Sequence, residues 1–218
     1  MLFKLLASVP SVIVEIKYNI KVRLISLDFS STEEIDKKIF SQKVLLEEIQ
    51  GVFFPIGTMF EQDGTMVDQE QMRKLIHSNF LSIAYTIQNL RKFLINKKDT
   101  TIVGFGSVSS FLGRKVNSIY AGSKRALESY FESLAFDKDF KRINIQFYTL
   151  GYLDTNLSFG KDLKLPKGSI EKLSNIVFEN KNLNFKTLFY PKYWKIINLI
   201  IKLVPFPILR KLAEILNK

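Results

Sequence analysis

The 218-residue sequence contains no cysteine. Disulfides, zinc ribbons, thiolate metal sites and cysteine nucleophiles are therefore excluded. It holds one histidine, His77, which rules out multi-histidine metal clusters, so no metal site is expected. Glycine is scarce, at 10 residues, and the first is Gly51. No glycine-rich phosphate-binding turn can be drawn ahead of it. A membrane-spanning helix needs about 20 apolar residues in a row. The longest candidate, 196–209, is broken by Asn198, Lys202, Pro205 and Pro207. The apolar stretch 1–14 carries Pro10 and no small-residue cleavage pattern, so it is not read as a secretory signal.

What is present describes a globular chain. The hydrophobic share is 46% against 24% charged, and the length suits one domain with its own core. Thirty-two basic residues oppose 21 acidic ones, a net charge of +11. That balance favours anionic partners, although a lysine-rich compositional bias produces the same number. The lysines form no stripe interleaved with aromatics, and no helix-turn-helix or zinc pattern occurs, so nucleic acid is not an expected partner.

Apolar periodicity orders the chain. Residues 21–28 read as a strand ending in Asp28, and Ser31-Thr32-Glu33-Glu34 opens a helix running to about residue 49. A second strand, 51–56, is closed by Gly57. In the next segment Leu75, Ile76, Phe80, Ile83, Ile87 and Leu90 recur at three- and four-residue steps, predicting a helix over 67–92. Strand 101–106, a serine-rich loop, helix 118–136 and strand 143–150 follow. Strands and helices alternate, and the strands are near-uniform apolar runs. This is the pattern of an α/β fold, a Rossmann-like doubly wound parallel sheet with helices on both faces. Ligands of such sheets sit at the C-terminal strand ends, here Asp28, Gly57, Ser107 and Gly151.

One constellation carries chemistry. Tyr120 and Lys124 are four apart on a helix and share a face. An ammonium beside a phenol favours the phenolate and suits proton transfer near neutral pH. In a lysine-rich chain with 8 tyrosines such a pair also arises by chance. Ser107 lies just after a buried strand, where its hydroxyl can polarise a carbonyl. Asn79 interrupts the apolar stripe of the preceding helix, and a buried amide needs partners. Gly151 would permit close backbone approach to a ligand. His77, two residues before Asn79, is expected to be an ordinary surface side chain.

Gly106-Ser107-Val108 through Tyr120-Ala-Gly-Ser-Lys124 resembles the serine-to-YxxxK block of the short-chain dehydrogenase/reductases, and the likeness extends over residues 20–215. The resemblance implies that Tyr120 is the general acid/base and that Ser107 polarises the carbonyl. It implies that Lys124 holds the nicotinamide ribose, that Asn79 holds a proton-relay water, that Asp28 contacts adenine, and that Leu153 and Thr155 face the carboxamide. Gly57, Tyr120 and Lys124 would also line the cofactor site. The cofactor would be NAD or NADP. Segments Gly57-Thr-Met-Phe-Glu-Gln62, Leu112-Gly-Arg114 and Tyr190-Pro-Lys-Tyr-Trp194 resemble a narrower branch, with the keto-reductase subunit of decaprenylphosphoryl-ribose 2-epimerase and members from O-antigen and polysaccharide clusters. That likeness implies keto/hydroxyl interconversion on a sugar or lipid-linked sugar.

Departures from the family shape two expectations. The first strand, the glycine-rich turn and the second strand have no counterpart, so residues 1–190 read as an N-terminally truncated Rossmann-type domain that binds NAD(P) poorly. The rival reading is a non-catalytic remnant or interaction subunit. Phe54-Pro-Ile-Gly57 stands where the family has Asn-Asn-Ala-Gly, and Leu150 where it has proline. The tail, 191–218, is amphipathic, with Lys195, Asn198 and Lys202 on one side and Ile197, Ile200, Ile201 and Val204 on the other. It suits a membrane interface or a packed partner in a homo-oligomer. The expected location is cytoplasmic, with peripheral contact at the inner membrane face.

Overall fold

The computed structural model describes residues 27–41, 49–60, 63, 68–95, 97, 100–113, 116–154, 165–180 and 185–216. Four parallel strands form one sheet in the order β1-β2-β3-β4: β1 Gly51–Phe54, β2 Thr100–Ser107, β3 Ile143–Leu150 and β4 Thr187–Tyr190. The helices are α1 Thr32–Ile35, which continues as a π-turn Asp36–Phe40, then α2 Gln69–Ile76, α3 Ser82–Leu94, α4 Ser118–Phe136, α5 Ile170–Glu179, α6 Trp194–Leu203 and α7 Phe206–Leu216. The parallel sheet with helices on both faces confirms the expected α/β, Rossmann-like class.

Helix α4 and strand β3 have the bounds that their apolar patterns predict. Strand β1 stops at Phe54, two residues short, because Pro55 has no N–H to give the ladder. The helix expected over 67–92 runs 69–94, capped by the Asp68 carboxylate on Gln71 N–H, and is interrupted by a π-turn at His77–Leu81. Strand β4 was not anticipated, since four residues ending at Tyr190-Pro191 carry too little pattern. Of the strand expected over 21–28, residues 21–26 lie outside the described residues.

Two clusters fill the two faces. On one, Phe54, Ile83, Ile87, Leu90, Ile102, Leu127, Phe131 and Phe147 join α3 and α4 to the sheet. A Cβ at Gly104 would stand 2.4 Å from the Phe131 ring, and one at Gly106 would stand 2.7 Å from Phe147. Gly104 thus lets α4 lie close on β2, and Gly106 makes room for the Phe147 ring of β3. On the other face Val103, Tyr148, Leu173, Val177 and Tyr190 pack α5, together with Leu150 and Leu153. Buried polar groups here satisfy one another: Tyr148 donates to Gln146 Oε1 (2.7 Å), and Gln146 Nε2 donates to the Asn180 carbonyl (2.9 Å).

Candidate active site

Close packing of α4 on β2 brings Lys124 to the C-terminal end of the sheet. Its side chain is 3% exposed, and Nζ donates to two main-chain carbonyls, Ile56 O (2.8 Å) and Phe105 O (3.1 Å). Burial pulls its pKa down to about 8. At neutral pH the amine is still mostly protonated. An ammonium has three donors, so one N–H remains beyond those two bonds. A Cβ at Gly57 would stand 3.6 Å from this Nζ, so the absence of a side chain keeps the space before the ammonium open.

Tyr120 is buried one turn earlier on the same helix. Ser107 ends β2 in register with Leu150, the last residue of β3. Its hydroxyl oxygen accepts from Ser109 N–H (3.2 Å), and its carbonyl accepts from Ser110 Oγ (2.7 Å). That leaves the Ser107 hydroxyl proton to be given elsewhere. Ser110 also donates to Glu128 (3.4 Å), whose carboxyl is pushed up chiefly by burial.

Asn79 is fully buried within the π-turn between α2 and α3. Its Oδ1 accepts from Thr58 N–H and its Nδ2 donates to Thr58 O, both at 2.8 Å. The π-turn shifts the helical ladder, and Ser82 N–H donates back to His77 O. Single π-turns of this kind recur at functional sites. The loop after β1 is thus tied at Ile56 by Lys124 and at Thr58 by Asn79.

A third tie was not foreseen from the sequence. Asp63 is 1% exposed, and its carboxylate accepts from Ile119 N–H (3.1 Å) and Tyr120 N–H (2.8 Å). In the sequence Asp63 precedes Gly64, an ordinary turn dipeptide, and nothing local connects it to a helix more than fifty residues on.

Other sequence expectations fall differently. Asp28 lies in a turn, where its carboxylate accepts from Ser30 N–H and its own N–H donates to Glu34. Leu153 bridges to Gly168 and packs on the second cluster. Thr155 lies outside the described residues. Gly151 does not face an open ligand path: a Cβ there would stand 1.8 Å from the Trp194 indole nitrogen, so the glycine makes room for that ring. His77 is half-buried rather than on the surface, bonded to Phe29 O and Ser82 Oγ. Among the described residues no cluster of three potential metal ligands occurs, and no helix is long and apolar enough to cross a membrane.

The tail also differs from its expected pattern. Ile197, Asn198, Ile201 and Val204 are half-buried, while Ile196, Leu199, Ile200, Leu203 and Phe206 are exposed, as are Lys195 and Lys202. Asn198 therefore sits on the inward side, and the outward side is apolar.

Comparison with known proteins agrees with this fold. The chain is 26% identical over 169 residues to the 3-oxoacyl-[acyl-carrier-protein] reductase FabG of Buchnera aphidicola, covering 69% of this chain and 66% of that protein. It spans between 44% and 66% of the length of the first curated relatives it matches. A short-chain alcohol dehydrogenase structure from Sinorhizobium meliloti superposes with a TM-score of 0.75 at 15% identity, covering 88% of this chain and 82% of that one. A gluconate 5-dehydrogenase from Burkholderia cenocepacia, in complex with NADP and tartrate, gives 0.67 at 16% identity, covering 78% and 73%. Residues 6–164 match the family model for short chain dehydrogenases, and the chain belongs to that family.

Proposed function

We propose that this chain is an NAD(P)-dependent oxidoreductase that interconverts a ketone and a secondary alcohol on a sugar or lipid-linked sugar of cell-envelope polysaccharide metabolism. The observation that carries the reading is the Lys124 ammonium, buried one turn from Tyr120 and held by Ile56 O and Phe105 O at the end of the sheet where Ser107 stands. In the reductive direction the Tyr120 hydroxyl gives its proton to the carbonyl oxygen. The Ser107 hydroxyl donates to that same oxygen and stabilises the charge developing on it. The neighbouring ammonium favours loss of the phenolic proton. Asn79 acts one step back, fixing Thr58 and so the loop beside the ammonium. The sugar assignment rests on the likeness of 57–62, 112–114 and 190–194 to the narrower branch.

The residues present fit one end of a nicotinamide cofactor. The remaining Lys124 N–H, on an Nζ that lies 3.6 Å from where a Gly57 Cβ would stand, suits a ribose hydroxyl. Asp28, Leu153 and Thr155 are the further contacts the family resemblance proposes. Bound there, the cofactor would supply or accept the hydride. The second reading is a non-catalytic member that keeps the fold without binding cofactor, and Leu150, standing where the family has proline, is the departure that favours it. Two measurements separate them. Titration with NADH and with NADPH distinguishes weak from micromolar binding, and micromolar binding removes the second reading. Turnover with a polyprenyl-phosphate-linked keto-pentose should fall about 10²- to 10⁴-fold in Tyr120→Phe. Equal rates in wild type and Tyr120→Phe would end the catalytic reading.

We further propose that the outward apolar side of α6 and α7 rests on an anionic membrane surface. The exposed stripe of Ile196, Leu199, Ile200, Leu203 and Phe206 beside Lys195 and Lys202 supports it, as does the net charge of +11. Co-sedimentation with anionic vesicles should drop in Leu199→Ser/Leu203→Ser. An unchanged vesicle fraction, with loss of a dimer instead, would assign the stripe to a second copy of the chain.

A further inference from the structure

Three helices of this chain cap themselves. Ser31, Asp68 and Ser169 each stand at the N-cap of their own helix and accept an N–H from its first turn. Helix α4 does not. Its N-cap residue, Asn117, makes no side-chain cap bond, and Asn117 Oδ1 is buried without a hydrogen-bond partner. Two of its first-turn donors, Ile119 N–H and Tyr120 N–H, are met by the carboxylate of Asp63. A serine or aspartate at position 117 would supply such a cap locally. A cap from the β1–α2 loop must instead close more than fifty residues of chain, which costs conformational entropy. What the distant cap adds is a fixed relation between two pieces of the site. The loop it comes from is the one that Lys124 holds at Ile56 and Asn79 holds at Thr58.

We propose that Asp63 is a positioning residue for Tyr120: its buried carboxylate fastens the Tyr120 turn to the 56–63 loop and so sets where the phenol stands relative to Lys124 and Ser107. The inference rests on the reading of Tyr120 as the proton-transferring group, but its test does not need turnover. The carboxylate is nearly solvent-free, and its charge is met by two amides at the positive end of a helix. Removing the charge releases Tyr120 at its own main-chain nitrogen, whereas the rest of α4 keeps its packing through Leu127 and Phe131.

The test uses the full chain with Asp63→Asn, Asp63→Ala and Asp63→Ala/Asn117→Asp; the last returns a carboxylate to the helix's own N-cap without the tie to the loop. Amide exchange at Ile119 and Tyr120 should quicken about tenfold or more in Asp63→Asn, with Leu127 and Phe131 unchanged. Ring carbon signals of Tyr120, assigned with Tyr120→Phe, should move in Asp63→Asn and stay moved in the double variant, although its urea midpoint returns towards wild type. Where turnover is measured, kcat should fall about tenfold in both, with KM changing less than about twofold. Return of the Tyr120 signals and of kcat together with the urea midpoint would reduce Asp63 to a helix cap and overturn the proposal. So would unchanged exchange at Ile119 and Tyr120. Absence of turnover in wild type counts against the oxidoreductase reading alone, because the exchange and ring signals still decide the role of Asp63. If Asp63→Ala fails to fold, Asp63→Asn carries the test.

Discussion

The 56–63 loop and the α6–α7 tail are fixed in opposite ways. Beside the packing of Ile56 on the first cluster, the described part of the loop is held by polar ties from Lys124, Asn79 and Asp63, each buried and each reaching across the fold. The tail starts on Trp194, packed over Gly151 and against Phe111 and Tyr152; beyond it Ile197, Ile201 and Val204 are half-buried, while Ile196, Leu199, Ile200 and Leu203 face solvent. Directional bonds set position to within a fraction of an ångström, as proton transfer requires. An exposed apolar stripe sets no position and is free to meet a surface. The same chain thus spends buried polarity where geometry matters and leaves apolar area uncovered where contact matters.

The contrast can be broken most forcefully at Asn79. Asn79→Ala leaves the N–H and O of half-buried Thr58 without partners, at about 1–2 kcal/mol each, so a loss of roughly 2–4 kcal/mol is expected in urea unfolding. A loss below about 1 kcal/mol would mean that the loop does not depend on this tie.

Lys124 sharpens the contrast through pH. Its pKa is about 8 in the folded chain against 10.5 unfolded, so between these values the unfolded chain binds more protons and stability rises with pH. The cost of burying the charge is fully present below pH 8 and fades towards 10.5. Between pH 7.5 and 9.5 the wild type should gain about 2 kcal/mol relative to Lys124→Met. Parallel pH curves for the two proteins would show the ammonium to be solvated rather than buried.

Gly104→Ala tests whether apolar closeness or polar ties bring α4 to the strand end. The Phe131 ring must shift to admit the methyl, at about 1–3 kcal/mol, and Lys124 should lose reach to Phe105 O. The smallest effect belongs to the tail. Leu203, 74% exposed, should tolerate serine within about 0.5 kcal/mol in thermal unfolding. A larger loss would show that the stripe is covered in solution.

Much of the architecture could be read ahead of the structure because it is local. The three-and-four spacing of Ile83, Ile87 and Leu90 gave a helix, the apolar runs of β2 and β3 gave buried strands, and the four-residue step from Tyr120 to Lys124 gave a shared face. Strand β4 escaped because four residues before a proline carry too little periodicity. The π-turn at Asn79 escaped because no residue type announces it. Gly151 was misjudged for a related reason: a glycine says that something comes close, not whether it is a ligand or an indole from the tail.

Local periodicity, capping residues and a motif at fixed spacing were enough to define a parallel α/β fold with a tyrosine and a lysine on one helical face, since each depends on neighbours a few positions away. Which carbonyls hold that lysine, which carboxylate caps that helix and which ring fills the space over Gly151 depend on segments tens of residues apart. Those pairings arise only when the chain folds back on itself, where burial makes an unpartnered polar group costly.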